Sequence, residues 1–402
     1  MSPSLSSSEF ATRLDAVRGN LTDTDADAGV WFSATSIEYL SGFHHIQTER
    51  PVALVVTDDR VELVGPRLEL ERASDVRQID RVRTYFDYPG GNPIGALADA
   101  LSGLGVDHVA ADADGAPGVM GYQGPALSEF VEVTTQQWVP RMRWEKTDAE
   151  IACIRESARW ANLGHRYLAD FTEVGAHPVT VSQRASTEAS RAMLDTLGDR
   201  YVPRTRGGGP VHAGYISGSE TALPHGHTPN ERLSEGDAII TGATAIVDGY
   251  YSELERTMFL GDPADEDEHY FELMLEAQDI AIDALGPGVP VDYVDHLVWE
   301  YFEEQGVTDL AQHHVGHNIG LGTHEPPYID RGWADHCLDD ETDFTESDAE
   351  IAAGQVYTIE PGLYTETTGY RHSDTVAITN SGTEMLTYFP RDIESNTLSV
   401  ER

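Results

Sequence analysis

Residues 238 to 260 read AIITGATAIVDGYYSELERTMFL. Two apolar runs flank Asp248-Gly249, and an Asp-Gly pair in that setting signals a two-residue hairpin, because both turn residues must take positive φ. The turn sets the register: Val247 faces Tyr250, Thr244 faces Glu253, and Gly242 faces Glu255. Side chains alternate along a strand, so Gly242, Glu253 and Glu255 share one face. The reading thus predicts an antiparallel pair with two carboxylates side by side across from a residue that has no side chain.

Outward from this hairpin, Val356–Glu360 and Thr375–Thr379 also have strand character, while Tyr270–Leu285 and Val291–Gln305 have helical spacing. Together they predict an α+β domain. Further towards the N-terminus, Thr147-Asp-Ala-Glu150 is a capping-box pattern, followed by Ile151, Ile154, Ala158, Ala161 and Tyr167 at helical spacing. A long helix is expected there, with a domain boundary near residue 145. The segment before it alternates helix (Glu9–Arg18, Ile94–Leu104) with strand (52–56, 61–65), the pattern of an α/β domain. The expected division is therefore 1–145 and 146–402.

Composition bounds the partners. The 402 residues carry 69 acidic and 26 basic side chains, a formal charge of −43, with Asp and Glu spread from TDTDADAG at 22–29 to DPADEDE at 262–268. Such a chain repels nucleic acid. The even spread resembles adaptation to high intracellular salt, where screening shortens self-repulsion; the alternative is an ordinary acidic enzyme. Two cysteines, Cys153 and Cys337, make no disulfide framework or zinc motif. No membrane-length apolar run and no secretory leader pattern is visible, so a cytoplasmic protein without a membrane partner is expected.

Five short motifs follow in order: Pro224-His225; Gly236-Asp237 with GYYSELERTMFLG at 249–261; GHNIGLGTHEPP at 316–327; TIEPGLY at 358–364; and GYRHSDT at 369–375. From about residue 147 to 390 the series resembles the M24 family of methionine and Xaa-Pro aminopeptidases and the related creatinases. The resemblance implies a pita-bread catalytic domain, an N-terminal domain that often completes a partner's active site, and a homodimer. In the family's peptidases, Asp, Asp, His, Glu and Glu hold two metal ions. Carried onto this chain, those positions fall on Gly242, Glu253, His317, Glu360 and Ser373, so two of the five ligands are replaced.

The substitutions point two ways. Creatinase-like members carry Glu within the same Leu-Glu-Arg-Thr run, where this chain has Glu255, and creatinase works without metal. In that branch a His at the place of His225 shuttles the proton, while carboxylates at Glu255 and Glu360 hold a cationic substrate group. Glu255 is then expected in the space left at Gly242. By contrast, creatinases have a small residue where Glu253 stands, and the THEPP run is closer to the peptidases. Glu253, His317 and Glu360 could hold one divalent ion, such as Mn, Co, Zn or Fe.

Water attack on an amide or amidine carbon needs a proton acceptor, a group that stabilises developing charge and a proton donor for the leaving nitrogen. The expected catalytic set is His225, Glu255, Glu360 and His324, with His317 orienting the substrate or binding metal. Arg50, in TERPVALVV, matches the place of a creatinase Arg that contacts the substrate carboxylate; Arg331, His44 and His45 are further candidates. His313 and His314 are read as supporting residues, and Glu325-Pro326-Pro327 as a turn. The function expected is hydrolysis of a C–N bond in a small nitrogenous compound or short peptide, metal-free or with one metal. A metal-dependent Xaa-Pro peptidase and an inactive binding scaffold are the alternatives.

Overall fold

The computed structural model describes residues 3–199, 201–205, 208–337 and 345–400. It divides into two compact units, Leu5–Arg143 and a unit that holds everything from Trp144 onwards.

In the N-terminal unit the strands are β1 (Ala28–Trp31), β2 (Ala53–Val56), β3 (Val61–Pro66), β4 (Arg81–Tyr85), β5 (His108–Ala111) and β6 (Glu132–Thr135). They form one mixed sheet in the order β4-β3-β2-β1-β5-β6. Five helices accompany them: α1 (Ser7–Thr22), α2 (Ala34–Ser41), α3 (Leu70–Ser74), α4 (Pro93–Leu104) and α5 (Trp138–Met142). Helix α4 has Pro93 in its first turn and Gly105 in a left-handed C-cap, and it lays Ile94, Leu97 and Leu101 on Val30, Val55 and Val109 of the sheet.

The C-terminal unit opens with α6 (Asp148–Phe171) and α7 (Pro178–Leu197). Thr147 caps α6 as expected: its hydroxyl accepts from Glu150 N at 3.3 Å, and Thr147 N donates to the Glu150 carboxylate at 2.9 Å. Strands β7 (Val211–Ser217), β8 (Ala238–Val247), β9 (Tyr250–Tyr251), β10 (Leu254–Glu255) and β11 (Thr257–Leu260) follow, then helices α8 (Asp265–Ala284) and α9 (Val291–Gln305). The rest is β12 (Gly316–Asn318), β13 (Glu325–Ile329), α10 (Trp333–Cys337), β14 (Val356–Ile359), β15 (Gly362–Tyr364), β16 (Gly369–Arg371), β17 (Ser373–Thr379), β18 (Gly382–Met385) and β19 (Thr397–Leu398).

One sheet runs β13-β12-β14-β17-β10-β8-β11-β19, with β7 and β9 also on β8 and β18 on β17. Ala161, Leu168 and Ala185 from α6 and α7 pack on Ala213, Ile239 and Leu254. Phe271, Met274, Val294 and Val298 from α8 and α9 pack on Phe259, Tyr357, Ile359 and Val376. A sheet flanked by helix pairs, with a separate α/β unit before it, is the architecture expected from the sequence.

The hairpin register matches too. Val247 pairs with Tyr250 and Ala243 with Leu254, which puts Glu255 across from Gly242. Asp248 and Gly249 take φ of 50° and 91°, the positive values a two-residue turn requires. The long strand expected over 250–260 is interrupted instead, because Glu253 N leaves the ladder to donate to Thr375 Oγ1 at 2.9 Å. Glu325-Pro326-Pro327 is strand, not turn. His317 pairs with Tyr328 and Asn318 with Glu325, so both prolines fall in a bulge of the edge strand, where a missing N–H costs little.

Helix α8 begins with Asp265, Glu266, Asp267 and Glu268, where the helix dipole favours acid, yet these charges also repel one another. Among the described residues no helix is long and apolar enough to cross a membrane. With −43 charges on the chain, self-repulsion should dominate its salt response. Melting temperature is expected to rise by roughly 10 °C between about 0.1 and 2 M KCl; a flat or falling curve would show that repulsion is not limiting stability.

Candidate active site

Strands β10, β12, β14 and β17 are neighbours in the middle of the C-terminal sheet, and their ends bring the acidic residues together. Glu253 precedes β10, His317 sits in β12, Glu360 follows β14 and Ser373 opens β17. The backbone below is locked by Arg256, a fully buried guanidinium. It donates to the carbonyls of Glu255 at 2.7 Å and Ser373 at 3.1 Å, and to Asp374 Oδ1 at 2.8 Å.

Single ligand atoms from Glu253, His317 and Glu360 all lie within 4.8 Å of one another. His317 Nδ1 donates to Asn318 O at 2.9 Å, which leaves the Nε2 lone pair facing the two carboxylates. That buried Nε2 lies 3.2 Å from Glu360 Oε1, an ion-pair contact that falls short of ideal hydrogen-bond alignment. A histidine nitrogen and two carboxylates gathered this closely are a donor set that fits a divalent ion, which would take the place of the proton between them. Ser373 Oγ donates to Glu253 Oε1 at 2.7 Å and so holds that carboxylate in place.

Glu255 stands beside Gly242: a Cβ built on that glycine would lie 3.6 Å from Glu255 Oε1. Its carboxylate is bound by Arg371, through Nε at 2.5 Å and Nη2 at 3.1 Å. Arg371 Nη1 also donates to Tyr364 Oη at 3.0 Å and Pro224 O at 2.9 Å, and its Nε is 3.9 Å from Glu360 Oε2. The Glu255 expected to hold a cationic substrate group is thus already committed to a cation of the protein.

Three carboxylates in one pocket perturb each other. Burial, reinforced by the Glu360 and Glu255 charges, pushes Glu253 up to about 8. Burial would also raise Glu360, but the hydrogen bond from His317 and the Arg371 charge pull it down to about 2. Burial disfavours the charged form of His317; its bond to Glu360 and the charge of Glu253 outweigh this and raise it to about 9.

His324 stacks on His317 with ring centroids 3.8 Å apart and an interplanar angle of 22°. His225 is exposed on the loop after Gly218–Ala222, near enough for its charge to act on His313 and His324. His313 Nε2 is 2.8 Å from Tyr364 Oη, and His314 Nδ1 is 3.8 Å from Asp330. Arg331 lies over the Trp299 ring at 3.9 Å. In the N-terminal unit Arg50 is held by Asp87 at 2.5 Å and Glu49 at 2.6 Å. His44 pairs with Glu38 at 2.9 Å, and burial drives its neighbour His45 down to about 4.

Sequence reasoning passed over Arg371 and Tyr364, although both lie inside motifs it quoted, GYRHSDT and TIEPGLY. The signal available was charge: a hairpin face with two carboxylates requires a buried cation, and Arg371 is two residues from Ser373.

The two-unit fold with this acidic pocket defines a pita-bread hydrolase of C–N bonds. The chain belongs to metallopeptidase family M24, whose model matches residues 152–380; the creatinase/prolidase N-terminal domain matches 13–143. An uncharacterized peptidase of Staphylococcus aureus is 26% identical over 392 residues, covering 94% of this chain and 100% of that one. A Xaa-Pro dipeptidase structure from Bacillus anthracis superposes with a TM-score of 0.77 at 22% identity, over 96% of this chain and 99% of that one. The dipeptidase PepE of Mycobacterium ulcerans does so with 0.76 at 25%, over 99% and 100%.

Gly242 has no positive φ to protect, and its neighbour at 3.6 Å is at ordinary contact distance. Gly242→Ala should therefore be neutral or stabilising by about 0.5–1 kcal/mol. Gly242→Asp should lower the melting temperature by several degrees, because its carboxylate enters space held by Glu255. Thermal melts of the two variants check this; a Gly242→Asp protein as stable as Gly242→Ala would show that the space is not filled.

Proposed function

We propose that this protein is a one-metal peptidase that releases the N-terminal residue of a short peptide, Xaa-Pro peptides being the first substrates to test. The observation that carries the reading is the triad Glu253, His317 and Glu360, whose ligand atoms lie within 4.8 Å of one another, with His317 Nε2 turned towards the carboxylates by the Nδ1 bond to Asn318 O. Charge supports one ion in preference to two. Among the described residues Arg371 is the cation whose side chain pairs with Glu255 and approaches Glu360, so one divalent ion, whose binding displaces the His317 proton, would balance Glu253, Glu255 and Glu360, whereas a second would leave the pocket strongly positive. A bound ion would supply Lewis acidity towards the scissile carbonyl.

The chain's own groups do the rest. Glu360, kept ionised by the Arg371 charge, accepts the proton of the attacking water at a carboxylate oxygen. His324 donates towards the oxygen that gains charge, and His225, exposed at the rim, delivers a proton to the leaving nitrogen. Glu255 does not meet substrate: with Arg371 it fills the ground of a missing ligand and closes the pocket there.

Elemental analysis should find about one divalent ion per chain, and adding Mn, Co, Zn or Fe should raise the melting temperature of the apo-protein by roughly 5 °C or more. Glu253→Ala should abolish that shift and cut release of the first residue from a proline peptide by at least about 100-fold. Full activity in strong chelator with no bound ion would transfer the assignment to a metal-free, creatinase-like hydrolysis. Peptide binding without turnover in any metal would make the protein a scaffold.

A further inference from the structure

A buried charge lies beneath the site. Lys146 and Glu325 have side chains 1% and 3% exposed, and Lys146 Nζ is 3.3 Å from Glu325 Oε2. The ammonium also donates to Asn318 Oδ1 at 2.5 Å and Trp144 O at 3.3 Å. The ammonium thus has two hydrogen-bond acceptors and a carboxylate as ion-pair partner, drawn from its own segment, β12 and β13. Burying such a pair brings little net stability compared with an apolar contact, so its merit lies in what it specifies.

What it specifies is the path of the loop between β12 and β13. Asn318 directly follows His317, and Glu325 directly follows His324. The ammonium therefore grips the immediate neighbours of the two stacked imidazoles. Glu325 Oε1 accepts from Gly322 N at 2.5 Å, Gly320 N donates to Gly322 O at 3.0 Å, and Tyr251 N donates to Gly320 O at 2.9 Å. The lysine stem runs so close that a Cβ at Gly320 would lie 2.9 Å from Lys146 Cε and 3.0 Å from Glu325 Oε2. A side chain at residue 320 would push the lysine stem and the Glu325 carboxylate out of their present places. The Asn318 carbonyl that orients His317 belongs to the same gripped residue.

We propose that Lys146 is a positioning residue of the active site: its buried ammonium ties Asn318 to Glu325 and thereby holds His324 face to face with His317. The catalytic part of this inference rests on the proposed function, but the geometric part does not, and the test separates them. Amide hydrogen exchange on the full-length wild type should show Gly320 and Gly322 protected; free exchange there overturns the proposal outright.

Lys146→Met removes the cation paired with the buried Glu325 carboxylate and should lower the melting temperature, while Lys146→Met with Glu325→Gln neutralises both partners and should recover most of it. In both variants the 319–325 amides should exchange at least about tenfold faster than in wild type, and kcat on the proline peptide should fall about 100-fold with KM changed less than about threefold. A double variant with wild-type loop protection and wild-type kcat would mean the pair is only a stabilising contact. If the wild type turns over no peptide, the function reading fails, and the exchange measurements still decide whether Lys146 holds the loop.

Discussion

Everything around the site follows from one constraint: Glu253, Glu255 and Glu360 are brought into one pocket by adjacent strands, and they cannot all be ionised there without positive charge close by. Arg371 meets part of the need, with two bonds to Glu255 and a longer approach to Glu360. Its remaining donors reach Tyr364 and the Pro224 carbonyl, so the residue that balances charge also ties the loop bearing His225 to the end of β16. Without a guanidinium in that place the β10 face would be an uncompensated acidic surface. The strength of these contacts is the strength of charge-assisted bonds in a poorly hydrated setting.

Gly242 and Glu255 are complementary across the ladder. Gly242 leaves space on the face of β8, and Glu255, directly opposite, puts its carboxylate there, 3.6 Å from where a Cβ of residue 242 would lie. That carboxylate stands on β10 beside Arg371, where it is engaged as a salt-bridge partner. On β17 the Ser373 hydroxyl donates to Glu253 and holds that side chain in place.

The fold was legible because it is written locally. Asp248-Gly249 fixes one hairpin, Thr147 and Glu150 fix one helix start, and the five motifs fix the order in which strands reach the site. Where several residues of distant segments must agree, the sequence was silent. Arg371 was passed over because nothing next to it in the chain shows that it will face Glu255, more than a hundred residues earlier. The Glu325-Pro326-Pro327 run was misread as a turn since proline's lost donor is harmless at a bulge of an edge strand, and edge position is a property of the whole sheet. The Asp87 that pairs with Arg50 is likewise 37 residues further along the chain, a partner that the TERPVALVV stretch does not announce.

His317 shows why the ligand triad is more than three residues at the right spacing. An imidazole can present either nitrogen, and here the choice is made by the Asn318 carbonyl, which accepts a hydrogen bond from Nδ1–H and turns Nε2 towards Glu253 and Glu360. That carbonyl is placed by the irregular pairing of β12 with β13, where the register slips between His317 and Asn318. The slip exists because two prolines are accommodated opposite that step. His324, on the chain between the two strands, stacks on the His317 ring, so the shape of an edge strand bears on which nitrogen His317 presents to Glu253 and Glu360.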